Sequence, residues 1–151
     1  MKFKSFLISI IFLMNSCGYN AIYSSANNTS FNLEKIELSG DENIVRNIKM
    51  ILNKIDNGSN EKNIQIFGEI TYEKSSQTKD LAGNTTQYRL MTKSEFKIIS
   101  NKEEINFMIK ENFDMKNFSD EFEEKKYEDT IKENFAKSIS NKLLLQISRL
   151  K

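Results

Sequence analysis

Histidine and proline are absent from this 151-residue chain, and cysteine occurs once, at position 17. Histidine is the commonest general base and metal ligand, so its absence removes the usual centre of acid–base and metal chemistry. A single thiol allows no disulfide, and nucleophilic triads or Cys/His metal sites have nothing to be built from. The glycines, Gly18, Gly40, Gly58, Gly68 and Gly83, are scattered singly, which leaves no glycine-rich phosphate loop. Acids are plentiful, but Glu103-Glu104 and Glu123-Glu124 are neighbours in sequence, and adjacent side chains on a strand or helix point apart. No enzyme, metal or cofactor is therefore expected. The missing proline goes with abundant Asn, Lys and Ile as the bias of an AT-rich genome and carries no functional reading.

Long apolar runs are lacking too. Phe6 to Met14 falls far below the ~20 residues that a membrane-spanning helix needs, and no later segment comes close. This run follows Lys2 and Lys4 and closes in Leu13-Met14-Asn15-Ser16-Cys17. It resembles the signal of bacterial lipoproteins: a positive region, an apolar region and a small residue, Ser16, before the cleavage point. The resemblance implies removal of residues 1–16, a diacylglycerol on the Cys17 thiol and a third acyl chain on its freed amine. One acyl chain, at ~0.8 kcal/mol per buried methylene, anchors marginally and stable anchoring takes two signals, so three chains give lasting attachment. A plain secretory signal followed by a chance cysteine is the alternative. Gly18, where an aspartate would mark inner-membrane retention, implies by the same resemblance an outer-membrane address on the periplasmic side. Once Lys2 and Lys4 are gone, the 22 basic side chains become 20 against 21 acids, a balance that points to no nucleic acid.

Residues 17–32, rich in Ser, Asn and Thr, read as the lipidated N-terminus and tether, with Tyr19, Ile22 and Tyr23 either tucked onto the domain or at the membrane interface. Residues 33–151 read as a single α+β domain, large enough to bury roughly two-thirds of its unfolded surface. Leu33, Ile36 and Leu38 form a short strand if a bulge shifts the parity once. Ser39 and Glu42 have the form of a capping box for a helix that carries Ile44, Ile48, Ile51, Leu52 and Ile55 and closes at Asn57-Gly58. From Asn63 the period is two, with Ile64, Ile66, Ile70 and Tyr72 on the dry side. Gly68 shares that side and predicts a bulge or the close approach of a helix. Beyond Asp80 to Asn84, Tyr88, Leu90, Phe96 and Ile98 continue in phase, a turn follows at Asn101-Lys102, and Ile105, Phe107, Ile109, Phe113 and Met115 line a fourth strand. Tyr127, Ile131, Phe135, Ile139, Leu143 and Ile147, spaced by four, make a long amphipathic helix. The order β-α-β-β-β-α predicts a four-stranded, mostly antiparallel sheet with two helices packed on one face. The other face is left to water or to a partner.

On the outward parity of the third strand stand Arg89, Lys93 and Lys97, with Lys74 and Lys79 near the adjoining loop. Two readings stay open: a solvated face with Glu95 interleaved, or a ladder that meets lipid phosphates through charge-assisted hydrogen bonds. Cys17-Gly18-Tyr19 followed by Ile22-Tyr23 resembles the mature start of the lipopolysaccharide-assembly lipoproteins of Gram-negative outer membranes, the LptE family, with Ala21 where that family carries proline. The element order extends the similarity to about residue 150, and Asn112 to Tyr127, an aromatic strand end running through an Asn-Phe-Ser turn into an acidic stretch, adds to it. The resemblance implies a non-enzymatic lipoprotein without cofactor. Such a protein plugs the lumen of an outer-membrane β-barrel of the LptD type, helps the barrel fold and touches lipopolysaccharide in passage. Arg89 and Lys93 are the residues it offers for contact with lipid A phosphates. A ligand-binding or adaptor lipoprotein of another envelope transport system is the alternative, since fold does not dictate function.

Overall fold

Alternating apolar and polar side chains build the sheet, and the four-residue apolar repeats build the helices that cover it. The computed structural model describes residues 31–55, 63–101 and 103–150. Its elements are β1 (Asn32–Gly40), α1 (Glu42–Ile55), β2 (Asn63–Lys79), β3 (Thr85–Ser100), β4 (Glu104–Lys116) and α2 (Glu121–Arg149). The strands lie in the order β1-β2-β3-β4, with β1 parallel to β2 and the other two pairs antiparallel. A parallel pair needs a crossover, and α1 is that crossover. The α+β order read from the sequence is the order observed. So is the bulge in β1: the register with β2 shifts between Leu33 and Lys35, which returns Leu33, Ile36 and Leu38 to one side.

The core lies between one sheet face and the two helices. The sheet contributes Leu38, Ile64, Ile66, Ile70, Leu90, Phe96, Ile98, Ile109 and Met115. From α1 come Ile44, Ile48 and Leu52, and from α2 Ile131, Phe135, Ile139, Leu143 and Ile147. Phe31, ahead of the first strand, is fully buried in the same cluster, so the packed structure takes in two residues before Leu33. Of the tether, Phe31 and Asn32 thus belong to the packed structure, while Cys17, the tether up to residue 30 and the Asn57-Gly58 closure fall outside the described residues.

Two local readings need correction. Ser39 does not cap α1: it is the penultimate residue of β1, and its hydroxyl donates to the Gly68 carbonyl at 3.5 Å. Asp41 is the cap, its Oδ1 accepting from the Ile44 amide at 3.1 Å and its carbonyl from the Val45 amide at 2.9 Å. The displacement arises because Gly40 stays in register with Ile70 and the chain turns only there, at φ +114°. A Cβ at Gly40 would stand 1.8 Å from the Ile70 carbonyl oxygen, so this turn admits glycine alone. At Gly68 the neighbour is neither a bulge nor a helix. The register runs unbroken through that residue, and the Phe96 ring of the adjacent strand lies over it.

The strands outrun the helices. At ~3.3 Å per residue the 17 residues of β2 span roughly 55 Å, and pairing with β3 continues to Lys79 and Thr85. Asp80 ties the loop at the tip: its Oδ1 accepts from the amides of Ala82 at 2.9 Å and Asn84 at 2.8 Å, and Leu81 is left fully exposed. α2 is capped by Asp120, whose Oδ1 accepts from the amides of Phe122 and Glu123.

Candidate functional site

Strand parity sends Arg89, Lys93 and Lys97 of β3 to the face away from the helices, as the sequence predicts. Their rows across the sheet are Ser75, Arg89 and Asp114; Thr71, Lys93 and Lys110; and Phe67, Lys97 and Asn106. Each of the three β3 cations is met by an acid on the same face. Arg89 forks onto Asp114, with Nε at 2.8 Å from one carboxylate oxygen and Nη2 at 3.1 Å from the other. Lys93 reaches Glu95 at 2.5 Å and Lys97 reaches Glu104 at 2.9 Å. On β1, Lys35 repeats the pattern with Glu37 at 2.8 Å. The hydrogen bond from Arg89 holds the Asp114 carboxyl below its ordinary range and the same bond raises the guanidinium, while Lys97 and then Asn106 lower Glu104. Lys110, opposite Lys93 across the ladder, and Lys116 at the end of β4 pair with no acid among the described residues.

Between these rows lies an open cleft of about 530 Å³ lined by Phe67, Glu95, Lys97, Asn106 and Met108. Met108 is half exposed, and Lys35 stands 5.2 Å above the Phe67 ring. The outward face thus combines paired charges with one patch of apolar floor. Nothing on it resembles an activated nucleophile or an acid–base pair, and among the described residues no cluster of acids is placed to hold a metal.

Lys74 does not belong to this ladder. The sequence reading sets it beside the loop, but β2 continues through it, and strand parity turns it with Tyr72 toward the helices. There it bridges two carboxylates of α2, Glu124 at 2.7 Å and Glu128 at 2.9 Å, and stands 4.4 Å over the Tyr88 ring. The Tyr72 hydroxyl donates to Glu128 at 2.8 Å. One turn on, Lys132 binds the second oxygen of Asp41 at 2.8 Å and lies 4.0 Å over Tyr72, and Asn43 donates to Asp129 at 3.0 Å. Burial raises Tyr72 well above the ordinary phenol value, helped by the bond to Glu128, so it remains a donor. Burial pulls Lys74 down, but its bonds to Glu124 and Glu128 outweigh that and leave it raised, while Glu124 is lowered by Lys74. A third polar tie lies on the β4 side, where Glu111 accepts from Ser138 at 2.7 Å and Lys142 at 2.6 Å. No local pattern signals these ties, because each joins residues at least 27 positions apart.

No protein-family model matches the chain, and no curated protein matches it. Among solved structures, the rare lipoprotein B of Shewanella oneidensis aligns with a TM-score of 0.52 at 17% identity, over 74% of this chain and 95% of that one. An uncharacterized lipoprotein B of Nitrosomonas europaea follows at 0.47 and 13% identity, over 80% and 88% of the two chains. A minor lipoprotein of Acinetobacter baumannii aligns at 0.43 and 16%, over 74% and 93%. The first of these establishes a shared fold.

Proposed function

We propose that this chain is an outer-membrane lipoprotein, lipidated at Cys17, that seats within an outer-membrane β-barrel of the LptD type and assists insertion of lipopolysaccharide. The observation that carries the reading is the fold shared with a rare lipoprotein B over nearly the whole of that protein, on a chain whose own N-terminus has the lipoprotein signal form. The surface agrees with it. A barrel lumen is polar, and a face on which Arg89, Lys93 and Lys97 are each neutralised in place offers it hydrogen bonds without net charge. The role is structural and non-enzymatic. Purification of the chain from solubilised outer membrane tests it: a co-purifying large β-barrel is expected, and a soluble or inner-membrane partner would refute it. Mass spectrometry of the mature N-terminus tests the lipid on Cys17 separately.

Within this reading Arg89 and Lys93 are the groups that contact lipid A phosphates. Charge reversal of both, Arg89→Glu with Lys93→Glu, is expected to weaken lipopolysaccharide binding, and unchanged affinity would end the assignment. The cleft at Phe67 and Met108 favours a second reading, a ligand-binding or adaptor lipoprotein of another envelope transport system. The same co-purification separates the two.

A further inference from the structure

Helix α2 is attached to the rest of the molecule by two different kinds of contact along its length. From Ile131 onward it buries Ile131, Phe135, Ala136, Ile139, Leu143, Leu144 and Ile147 against the sheet and α1. From Glu121 to Thr130 no side chain is buried, and Phe122 is 73% exposed. What ties that first third to its surroundings, among the described residues, is Lys74 on Glu124 and Glu128, Tyr72 on Glu128, Asn43 on Asp129 and the Phe118 amide on Glu124, with the ring contacts of Tyr127 on Phe113 and Phe118 added. Lys132 with Asp41 closes this stretch where the apolar seam begins. Lys74 also stands near the root of the β2–β3 hairpin, one row before Ser76, Tyr88 and the buried Met115. Its row continues through Leu90 to Phe113, and beyond it the hairpin runs on to the Asp80 loop.

We propose that the Lys74–Glu124–Glu128 cluster is a clasp at the root of the hairpin, and that the first turns of α2 open from it as one unit while the apolar half of the helix stays seated. The physical ground is the difference between the two kinds of contact. Salt does not weaken apolar burial, whereas ion pairs that keep about a fifth of their surface in water, Lys74 26%, Glu124 17% and Glu128 18% exposed, are screened by it, less than fully exposed pairs but in the one direction that loosens them. Residues 121–130 bury no side chain fully, and the Tyr127 ring, 42% exposed against Phe113 and Phe118, is their main apolar contact once the ion pairs weaken, which is the composition of a segment of low local stability. Opening removes the Lys74 and Tyr72 attachments of the hairpin root to α2 and leaves the projecting arm held by its own ladder.

Amide exchange of the purified full chain, followed by mass spectrometry from about 0.01 M to about 1 M salt, reads this directly, because the screening length then falls from about 30 Å to about 3 Å. Residues 121–130 are expected to exchange about tenfold faster at high salt, while residues 139–149 and the β2–β3 ladder around Lys74 keep their protection. Lys74→Met is expected to give the fast exchange in 121–130 already at low salt and to abolish its salt response. Uniform protection along the whole of α2 at both salts would overturn the proposal, as would a salt response in the wild type that survives in Lys74→Met. If Lys74→Met fails to fold, the wild-type salt series decides alone.

Discussion

Replacing Gly68 by alanine isolates one packing contact and sets two opposing effects against each other. A glycine in a strand interior costs about 0.5–1 kcal/mol relative to alanine through the freedom it loses on folding, so by backbone entropy alone the substitution should stabilise. The added Cβ, however, would stand 2.6 Å and 2.9 Å from two carbons of the Phe96 ring and 3.0 Å from a Leu38 methyl. Phe96 cannot swing aside, since it is 3% exposed and stacks on Phe107 with ring centres 5.6 Å apart. Overpacking of this kind costs about 1–3 kcal/mol and exceeds the entropic gain. Gly68→Ala is therefore expected to lose about 1–2 kcal/mol, a fall of about 4–8 °C in melting temperature for a domain of this size. Denaturant titration should show a lower midpoint at unchanged slope, because the surface exposed on unfolding is the same. Adding Phe96→Leu relieves the contact, so the pair should be more stable than the two single losses sum to, by at least about 0.5 kcal/mol. A Gly68→Ala protein as stable as the wild type or more so would refute the reasoning, since the ring would then have had room to move.

Asp41→Ala removes the cap of α1 and leaves Lys132, 14% exposed, without its near partner, so a loss of about 2–4 kcal/mol is expected in the same titration. Ser39→Ala should change stability by less than about 0.5 kcal/mol, as an exposed hydroxyl that caps nothing. Acid should loosen the clasp: Glu124 titrates below its ordinary 4.5 in the folded protein, so the stability it adds is present above that pH and drains away as pH falls through the depressed value. The protection of residues 121–130, taken relative to the intrinsic rate that itself slows in acid, should accordingly fall below about pH 4.5 before that of the seam at 139–149, and simultaneous loss of both would count against it.

What the sequence disclosed follows the range over which each signal acts. Parity within a strand and repeats within a helix are local, and they delivered the element order, the core face and the bulge between Leu33 and Lys35. The far end of β2 was illegible because Ser75-Ser76-Gln77-Thr78 has no apolar period. It is a strand through pairing with β3, including hydroxyl contacts of Ser76 with Thr85 at 3.0 Å and Thr78 with Thr86 at 2.8 Å. Setting Lys74 only near the adjoining loop left it without a face, since the parity that turns it toward the helices holds because β2 runs on past Tyr72. The ladder was half legible. Its cations follow from the parity of β3, but Asp114 and Glu104 answer Arg89 and Lys97 only through the register of β3 against β4, which no local pattern specifies. The cap was missed by two residues because Ser39 with Glu42 satisfies the sequence pattern while the strand still runs through Ser39.

That pairing bears on how phosphate would meet the outward face. Arg89 is committed to both oxygens of Asp114 and Lys93 to Glu95, so an incoming phosphate must displace a carboxylate at either residue before it gains a hydrogen bond. Pairs this exposed contribute little on their own, and the displacement is affordable, but it leaves the freed acid beside the new anion. Lys110 carries neither burden: it faces Lys93 across the ladder, and among the described residues its ammonium has no carboxylate to shed. Two ammonium groups on one row, one of them uncommitted, form the point on this face where an anion is attracted with least opposition. On the proposed function, Lys110→Glu should therefore weaken lipopolysaccharide binding at least as much as Lys93→Glu, by about tenfold for the loss and reversal of one charge-assisted contact. Binding titrations of the two single variants at equal salt decide it. Should Lys93→Glu bind weakly while Lys110→Glu binds as the wild type does, the anion is held by displacing Glu95 from Lys93, and an uncommitted ammonium is not what selects it.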